Sequence, residues 1–273
     1  IYVGKDEPEA VKIASQNLRK DIGRVLGISA GSTEDGGKAH IFIETLKDLR
    51  EASQIRAELK VLFDEKGMVR REAYLLQVKE GRLFISGSDR RGTVYGIYEL
   101  CRMLGVSPWH FFADVPVRKR QAFSLPEGFE KMDYPSVEYR GIFINDEEEL
   151  EDWVKGHMGE DTIGVKTYEK VFELLLRLKG NYIWPAMHVN SFNVKKENGA
   201  LAERMGIVVG TSHCDMLMRS NNREWKPWLA KKGYENVLYD YSIPGRNREI
   251  LQEYWQESVE QNKDFETCYT LGM

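Results

Sequence analysis

Polar and aromatic side chains follow three successive apolar runs in the second half of the chain. The runs end at residues 145–147, 184–188 and 211–215, where carboxyl, amide, imidazole and indole groups replace aliphatic ones. Glycosidases use carboxyl groups at such positions. A protonated acid donates a proton to the leaving-group oxygen, and an ionised carboxylate activates water or acts as the nucleophile. The candidate substrate-binding residues are Asn145, Asp146, Trp184, His188, His213 and Asp215.

The carboxyl groups leave several pairings open. Asp146 with Asp215, or Glu147 with either of them, could supply the two acids of a glycosidase. A functional role is favoured for Asp146 because it comes just past an apolar strand. The glutamates at 148, 149 and 151 are instead predicted to form a solvated acidic loop.

The aromatic and histidine residues suggest two further kinds of site. Trp184 stands at a strand end before Pro185, where an indole could stack on the C–H face of a sugar ring. A metal site made of His188, His213, Asp215 and Asp146 is the alternative, although no HxH or HExxH spacing supports it. Sugar chemistry is therefore favoured, and no metal is expected.

The elements that would position these residues alternate between strands and helices after residue 139. Strand-like runs near 139–145, 180–187, 206–212 and 265–273 are separated by helical patterns near 168–179, 200–205 and 247–262. Such repeats predict a parallel sheet, and functional groups of a (β/α)8 barrel lie at the carboxyl ends of its strands. A complete barrel needs about 250 residues, so we expect residues 133–273 to be the amino-terminal half of a catalytic barrel, which stops after strand 4.

The sequence pattern of residues 1–132 predicts a small α/β domain. It combines an amphipathic helix near 8–26, a strand near 39–46, a hairpin over 73–87 and a helix that ends before Gly105. Residues 115–136 lack periodicity and are predicted to connect the two domains. The predicted fold class is α/β: a small domain followed by the first half of a TIM-type barrel.

Composition excludes several classes of partner. The 39 basic and 43 acidic residues leave a formal charge of −4 without a basic stripe, so no nucleic acid is expected. No apolar run approaches the roughly 20 residues of a membrane span, so no membrane partner is expected either. Cys101, Cys214 and Cys268 lack CxxC spacing, which argues against a disulfide framework or a structural zinc site.

Several segments resemble a known family over essentially the whole chain. The stretch at residues 88–116, SDRRGTVYGIYELCRMLGVSPWHFFADVP, is similar to the end of the α/β domain that precedes the barrel in several glycoside hydrolase families. The barrel part resembles glycoside hydrolase family 115, the xylan α-1,2-glucuronidases. The segments that carry this resemblance are YRGIFINDEE, VFELLLRLKGNYIWPAM, GIVVGTSH and YTLGM.

This resemblance implies an activity and a set of roles. It implies an α-glucuronidase that removes α-1,2-linked glucuronic acid, or its 4-O-methyl ether, from glucuronoxylan by inverting hydrolysis without a metal or organic cofactor. Asp146 matches a position that contacts the sugar, and Trp184 and His213 match pocket positions. The main catalytic carboxylates are expected beyond Met273, so we expect this chain to be a fragment without activity of its own.

The chain also departs from the family pattern. The family usually reads SHHEPM where this chain has SHCDML at residues 212–217, and a tryptophan stands where this chain has His188. These changes leave a non-catalytic carbohydrate-binding relative, or a metal-dependent barrel hydrolase, as alternatives. The family further suggests secretion or a periplasmic location, and a possible homodimer of the full-length protein.

Overall fold

A computed structural model describes residues 1–46, 56–145 and 147–271 of the chain. By their contacts these residues form two compact units. The first contains residues Ile1–Glu138 and Leu176–Gly180, and the second contains Tyr139–Leu175 and Asn181–Met273.

The first unit is built on a five-stranded mixed sheet with the order β1-β2-β4-β3-β5. Strands β1, β2 and β4 are parallel, whereas β3 runs antiparallel to both β4 and β5. Glu80 and Gly81 join β3 to β4 with φ of 53° and 70°, the left-handed pair that a two-residue hairpin turn requires. This confirms the predicted hairpin. The strands are β1 Tyr2–Val3, β2 Ile41–Thr45, β3 Tyr74–Lys79, β4 Arg82–Gly87 and β5 Glu130–Asp133.

Two long helices of the first unit, α1 (Glu9–Leu26) and α2 (Arg90–Leu104), pack against each other. The Asp89 side chain starts α2 by accepting a hydrogen bond from the Gly92 N–H at 2.8 Å. Gly105 ends α2 at φ 102°, a conformation open to glycine and unfavourable for other residues. Helix α2 lies close to the sheet, because a Cβ on Gly96 would be only 2.8 Å from Cγ2 of Ile85.

The second unit contains a four-stranded parallel sheet with the order β6-β7-β8-β9. Its strands are β6 Gly141–Phe143, β7 Tyr182–Trp184, β8 Val208–Gly210 and β9 Thr267–Cys268. Helices connect successive strands in the manner of βαβ units. They are α3 Glu148–His157, α4 Val165–Arg177, α5 Lys196–Met205, α6 Trp225–Lys232 and α7 Arg246–Asn262. The fold is therefore α/β, a small mixed-sheet domain followed by the first half of an α/β barrel.

Three segments differ from the sequence-based expectation. Residues 130–133, predicted as part of a connection, form β5 because they pair with β3 in the first sheet. The glutamates at 148, 149 and 151, predicted as a loop, occupy the first turn of α3, where their charges favour the helix N-terminus. Helix α6 lies where a long loop was expected. The predicted domain boundary at 132/133 falls at the end of β5, and the assignment of the second domain as a catalytic half-barrel remains a prediction.

Two features of the described residues bear on the membrane partner and the cysteine sites considered above. Within the described residues, no helix has both the length and the apolar character needed to span a membrane. All three cysteines are free: Cys101 is buried, and Cys214 and Cys268 are partly buried.

Candidate functional site

The carboxyl ends of β6, β7 and β8 lie at one edge of the second sheet because the three strands are parallel and adjacent. The predicted site residues follow these ends: Asn145 after β6, Trp184 and His188 at and after β7, and His213 and Asp215 after β8. Asn145 is exposed. Asp146 lies outside the described residues, so its predicted contact with a sugar remains a prediction.

Trp184 is held in a defined orientation and remains partly accessible. Its Nε1–H donates to the Tyr182 hydroxyl at 2.9 Å, and its ring lies edge-to-face on Phe143 with the centroids 5.5 Å apart. Gly210 makes room for this pair, because a Cβ there would overlap the Tyr182 hydroxyl and lie 2.9 Å from the Trp184 Nε1. With 36 % of its surface exposed, Trp184 can offer its ring to a ligand.

The two histidines are exposed and have ordinary polar neighbours. Nδ1 of His188 lies 3.4 Å from Oε1 of Glu148, and Nδ1 of His213 lies 3.0 Å from Oγ of Ser212. Among the residues that the structure describes, no three His, Cys, Asp or Glu side chains come together as a metal-binding group. The metal-site alternative therefore gains no support from the placement of His188, His213 and Asp215.

Asp215 is the buried acid of this edge. Its side chain is almost inaccessible, and its Oδ1 has no hydrogen-bond partner. The main chain at Asp215 is fixed by the Thr211 hydroxyl, which donates to its carbonyl oxygen at 2.6 Å. Burial, together with the negative charges of Glu224 and Glu147, raises the pKa of Asp215 to about 7, although a hydrogen bond with Ser220 opposes the rise. Near neutral pH this carboxyl therefore takes up a proton, as a general acid must.

Two other carboxylates, the buried Glu147 and the partly buried Glu224, lie near enough to act on Asp215 electrostatically. Glu147 is fully buried, and its Oε1 accepts hydrogen bonds from the backbone N–H groups of Val189 and Asn190. The sequence offered Glu147 as an alternative acid beside Asp146. It gave no signal for Glu224, because that residue lies just before α6 in a segment that showed no strand or helix pattern.

The loop after Asp215 is strained. Leu217 and Met218 have φ of 51° and 67°, a left-handed conformation that is unfavourable for residues other than glycine. Leu217 is held there by its N–H, which donates to the Thr270 carbonyl at 2.7 Å, and by the Ser258 hydroxyl, which donates to its carbonyl at 2.8 Å. The chain beyond β9 and helix α7 thus fix the loop that carries Asp215.

The residues of this edge lie in a region that matches a known family model. The family model described as glycosyl hydrolase family 115 matches residues 132–273, which contain the whole site, and the model for the family 67 N-terminus matches residues 1–100. The chain belongs to glycoside hydrolase family 115. That family is one of glycoside hydrolases.

Solved structures agree with this membership. The chain is 36 % identical to the family 115 4-O-methyl-α-glucuronidase BtGH115A, an enzyme described as having specificity for decorated arabinogalactans. That match has a TM-score of 0.85 and covers 100 % of this chain and 35 % of that one. This family 115 chain thus spans about a third of the length of that relative. No curated protein matches it.

Two more distant structures share the fold alone. An enzyme of family GH138, described as targeting pectin rhamnogalacturonan II, is 16 % identical with a TM-score of 0.56, over 98 % of this chain and 37 % of that one. The Flavobacterium johnsoniae chitobiase FjGH20 is 13 % identical with a TM-score of 0.55, over 98 % of this chain and 40 % of that one.

The raised pKa of Asp215 predicts a pH dependence of stability. The unfolded chain should lose this proton near the usual value of 3.8, whereas the folded chain retains it up to about pH 7. Between about pH 4 and 7 the folded state therefore binds more protons, so the free energy of unfolding falls as the pH rises. In Asp215→Asn we expect the free energy of unfolding to fall less steeply over this range, by up to about 1 kcal/mol per pH unit.

Urea unfolding at a series of pH values measures this slope. The control is Asp161→Asn, which changes an exposed aspartate of the same unit and should leave the slope unaltered. An Asp215→Asn variant with the wild-type slope would show that Asp215 ionises as readily as an exposed acid.

Proposed function

We propose that this chain is the amino-terminal part of an α-glucuronidase that removes α-1,2-linked glucuronic acid, or its 4-O-methyl ether, from glucuronoxylan by inverting hydrolysis. The observation that carries the proposal is the similarity to the 4-O-methyl-α-glucuronidase BtGH115A at 36 % identity over the full length of this chain. The polysaccharide is the proposed partner. Secretion or a periplasmic location, and a homodimer of the longer protein, remain predictions.

The strand-end edge has the chemistry that a uronic acid site needs. Trp184 offers an anchored ring for stacking on a pyranose. Asn145, His188 and His213 are polar and exposed at the same edge, so they can hydrogen-bond to sugar hydroxyls.

A decorated arabinogalactan is the second candidate substrate, because BtGH115A has specificity for that class of polysaccharide. The sugar removed would be the same in both cases, and the polymer that carries it would differ. The residues that depart from the family pattern, His188 and the segment 214–217, lie at the same edge and are the candidates to discriminate between the two polymers.

The experiment is to measure uronic acid release by the protein that carries this chain. We expect release from glucuronoxylan oligosaccharides, and a loss of at least about a hundredfold in kcat/KM for Asp146→Ala, if Asp146 contacts the sugar as the family resemblance implies. Release only from glucuronidated arabinogalactan, and not from glucuronoxylan, would show that the second candidate polymer is the substrate.

Two further measurements address the rival interpretations. Purified residues 1–273 should release no uronic acid, and release that disappears in Asp146→Ala would refute the prediction that the fragment is inactive. Calorimetric titration with oligosaccharides tests the non-catalytic alternative: binding by a folded full-length protein that never hydrolyses either polymer would favour a carbohydrate-binding module.

A further inference from the structure

Helix α7 extends well beyond the carboxyl edge of the second sheet. Near that edge, the Ser258 hydroxyl of α7 donates to the carbonyl of Leu217, whose N–H donates to the carbonyl of Thr270, just past the end of β9. Because α7 leads into the start of β9, its N-terminal turns are the ones that lie beyond the edge. At about 1.5 Å of rise per residue, Arg246 at the start of α7 lies about 18 Å along the helix axis from Ser258.

The loop 233–245, between α6 and α7, is fixed on these first turns by side chains of the helix. The Asn247 amide accepts from the Leu238 N–H at 2.9 Å and donates to the Leu238 carbonyl at 3.0 Å. Nε of Arg248 donates to the Tyr241 carbonyl at 3.0 Å. The loop therefore has a defined conformation although much of it is exposed.

Tyr241 is the aromatic residue that this loop presents to solvent. Its ring is tilted by 39° against that of Trp255 with the centroids 5.5 Å apart, and Cζ of Arg248 lies 4.9 Å from its centroid. Its hydroxyl accepts from Nε2 of Gln252 at 3.0 Å. With these contacts 46 % of the residue is still exposed. An anchored aromatic ring that stays accessible is a surface on which a pyranose can stack.

Polar side chains flank Tyr241, with Asp240 and Ser242 next to it in the chain and Arg248 over its ring. The Asp240 carboxylate accepts from the N–H and the hydroxyl of Ser242 at 2.8 Å and 2.6 Å, and the Arg248 guanidinium carries several donors. A pyranose presents a C–H face to an aromatic ring and hydroxyls around that face. A ring with donors and acceptors nearby therefore matches a sugar better than it matches a purely apolar partner.

The loop 233–245 is packed together with the loop that follows β8 at the candidate site. Tyr239 lies edge-to-face on Trp225 with the ring centroids 5.4 Å apart. Met216 and Leu217, from the loop after β8, pack against the same aromatic cluster. A polysaccharide whose decoration lies at the strand-end edge can therefore extend along this loop.

We propose that Tyr241 is a stacking platform for a neutral pyranose of the polysaccharide main chain, outside the site that receives the uronic acid. This inference rests on the proposed function for the identity of the polymer. It predicts that long substrates gain affinity that short ones lack, because only a chain of several sugars reaches from the strand-end edge to Tyr241.

Calorimetric titration of the protein that carries this chain tests the platform directly. The probes are undecorated xylo-oligosaccharides and galacto-oligosaccharides, which distinguish the two candidate main chains. We expect at least one of them to bind wild type, Tyr241→Ala to bind it at least about tenfold more weakly, and Tyr241→Phe, which retains the ring, to bind it like wild type. No binding of either probe by wild type, or equal affinities in Tyr241→Ala and wild type, would overturn the inference.

Tyr134→Ala is the matched control. Tyr134 is 43 % exposed and has Cζ of Arg70 over its ring at 4.3 Å, but it belongs to the first unit, so this variant should bind the probes like wild type. If Tyr241→Ala does not fold, Tyr241→Leu keeps an apolar side chain beside Trp255 without a flat ring. Wild-type affinity in that variant would equally overturn the inference.

Kinetics provide a readout that a purely structural role would not change. Tyr241→Ala should raise KM for the decorated polysaccharide on the order of tenfold, whereas kcat/KM for a glucuronic acid linked to a single sugar should stay like wild type. An equal loss for both substrates would contradict the platform. A wild-type protein that binds a neutral oligosaccharide through Tyr241 yet releases no uronic acid would refute the proposed function and leave the platform in place.

Discussion

Replacing Gly210 by alanine is expected to destabilise the second unit and to weaken sugar binding together. A Cβ at this position of β8 would overlap the Tyr182 hydroxyl, which is the group that accepts the Trp184 Nε1–H. The phenol must move, and the indole then loses its hydrogen bond. We expect a loss of about 1–3 kcal/mol in the free energy of unfolding, the usual range for overpacking.

The second half of this prediction concerns the ligand. Trp184 lies edge-to-face on Phe143, so a shift of the indole changes the orientation of the surface that would stack on a pyranose. Calorimetric titration with glucuronic acid oligosaccharides should show at least a tenfold weaker affinity in Gly210→Ala. A loss of that size corresponds to about one stacking contact.

The matched control for Gly210→Ala is Gly156→Ala. Gly156 lies inside α3 of the same unit, and a Cβ there would meet no atom within 4 Å. Alanine is the better helix former by about 1 kcal/mol, so this variant should be neutral or stabilised and should bind sugar like wild type. Equal behaviour of the two glycine variants would show that the space at Gly210 is not required.

The second prediction concerns the ion pair of Asp21 in the first unit. The Asp21 carboxylate is fully buried and accepts from Arg177 at 2.8 Å, where both side chains are almost inaccessible, and from the partly exposed Arg24 at 2.9 Å. Asp21→Ala leaves the Arg177 charge buried without its carboxylate. We expect a loss of about 3–5 kcal/mol in the free energy of unfolding, measured by urea denaturation.

Two comparisons isolate the cause of that loss. Arg24→Ala removes the exposed partner and should change the free energy of unfolding by about 1 kcal/mol or less. Asp21→Leu combined with Arg177→Met removes both buried charges and should restore much of the stability that Asp21→Ala loses, because a buried pair can be replaced by apolar groups with little net change. A double variant as unstable as Asp21→Ala would show that packing at this place, and not the broken ion pair, sets the loss.

The elements with strong local signals could be predicted from the sequence. Helix α2 is an example, because Asp89 and Gly105 mark its ends and its apolar positions repeat at helical spacing. The hairpin at Glu80 and Gly81 is another. Strand β5 carried no such signal, since its four residues become a strand only through their pairing with β3.

The candidate site residues also differ in how much of their position can be read from local sequence signals. Trp184 and Asp215 were predicted as site residues because they stand at strand ends, a position that can be read from the order of apolar runs, and their role in a site stays a prediction. The helical pattern predicted near 168–179 extended too far: helix α4 ends at Arg177, and 46 % of Leu178 is exposed. Periodicity alone does not mark the residue at which a helix stops.

The sequence by itself determined the order of strands and helices, the family, and the edge of the sheet at which polar groups collect. These depend on local periodicity and on runs of residues that are adjacent in the chain. Only the tertiary structure decided that the charges of Glu147 and Glu224 help to raise the pKa of Asp215, that Gly210 makes room for Tyr182, and that Arg177 meets Asp21. Apart from Glu224 and Asp215, those relations join residues far apart in the chain, and burial, not residue type, sets their energetic weight.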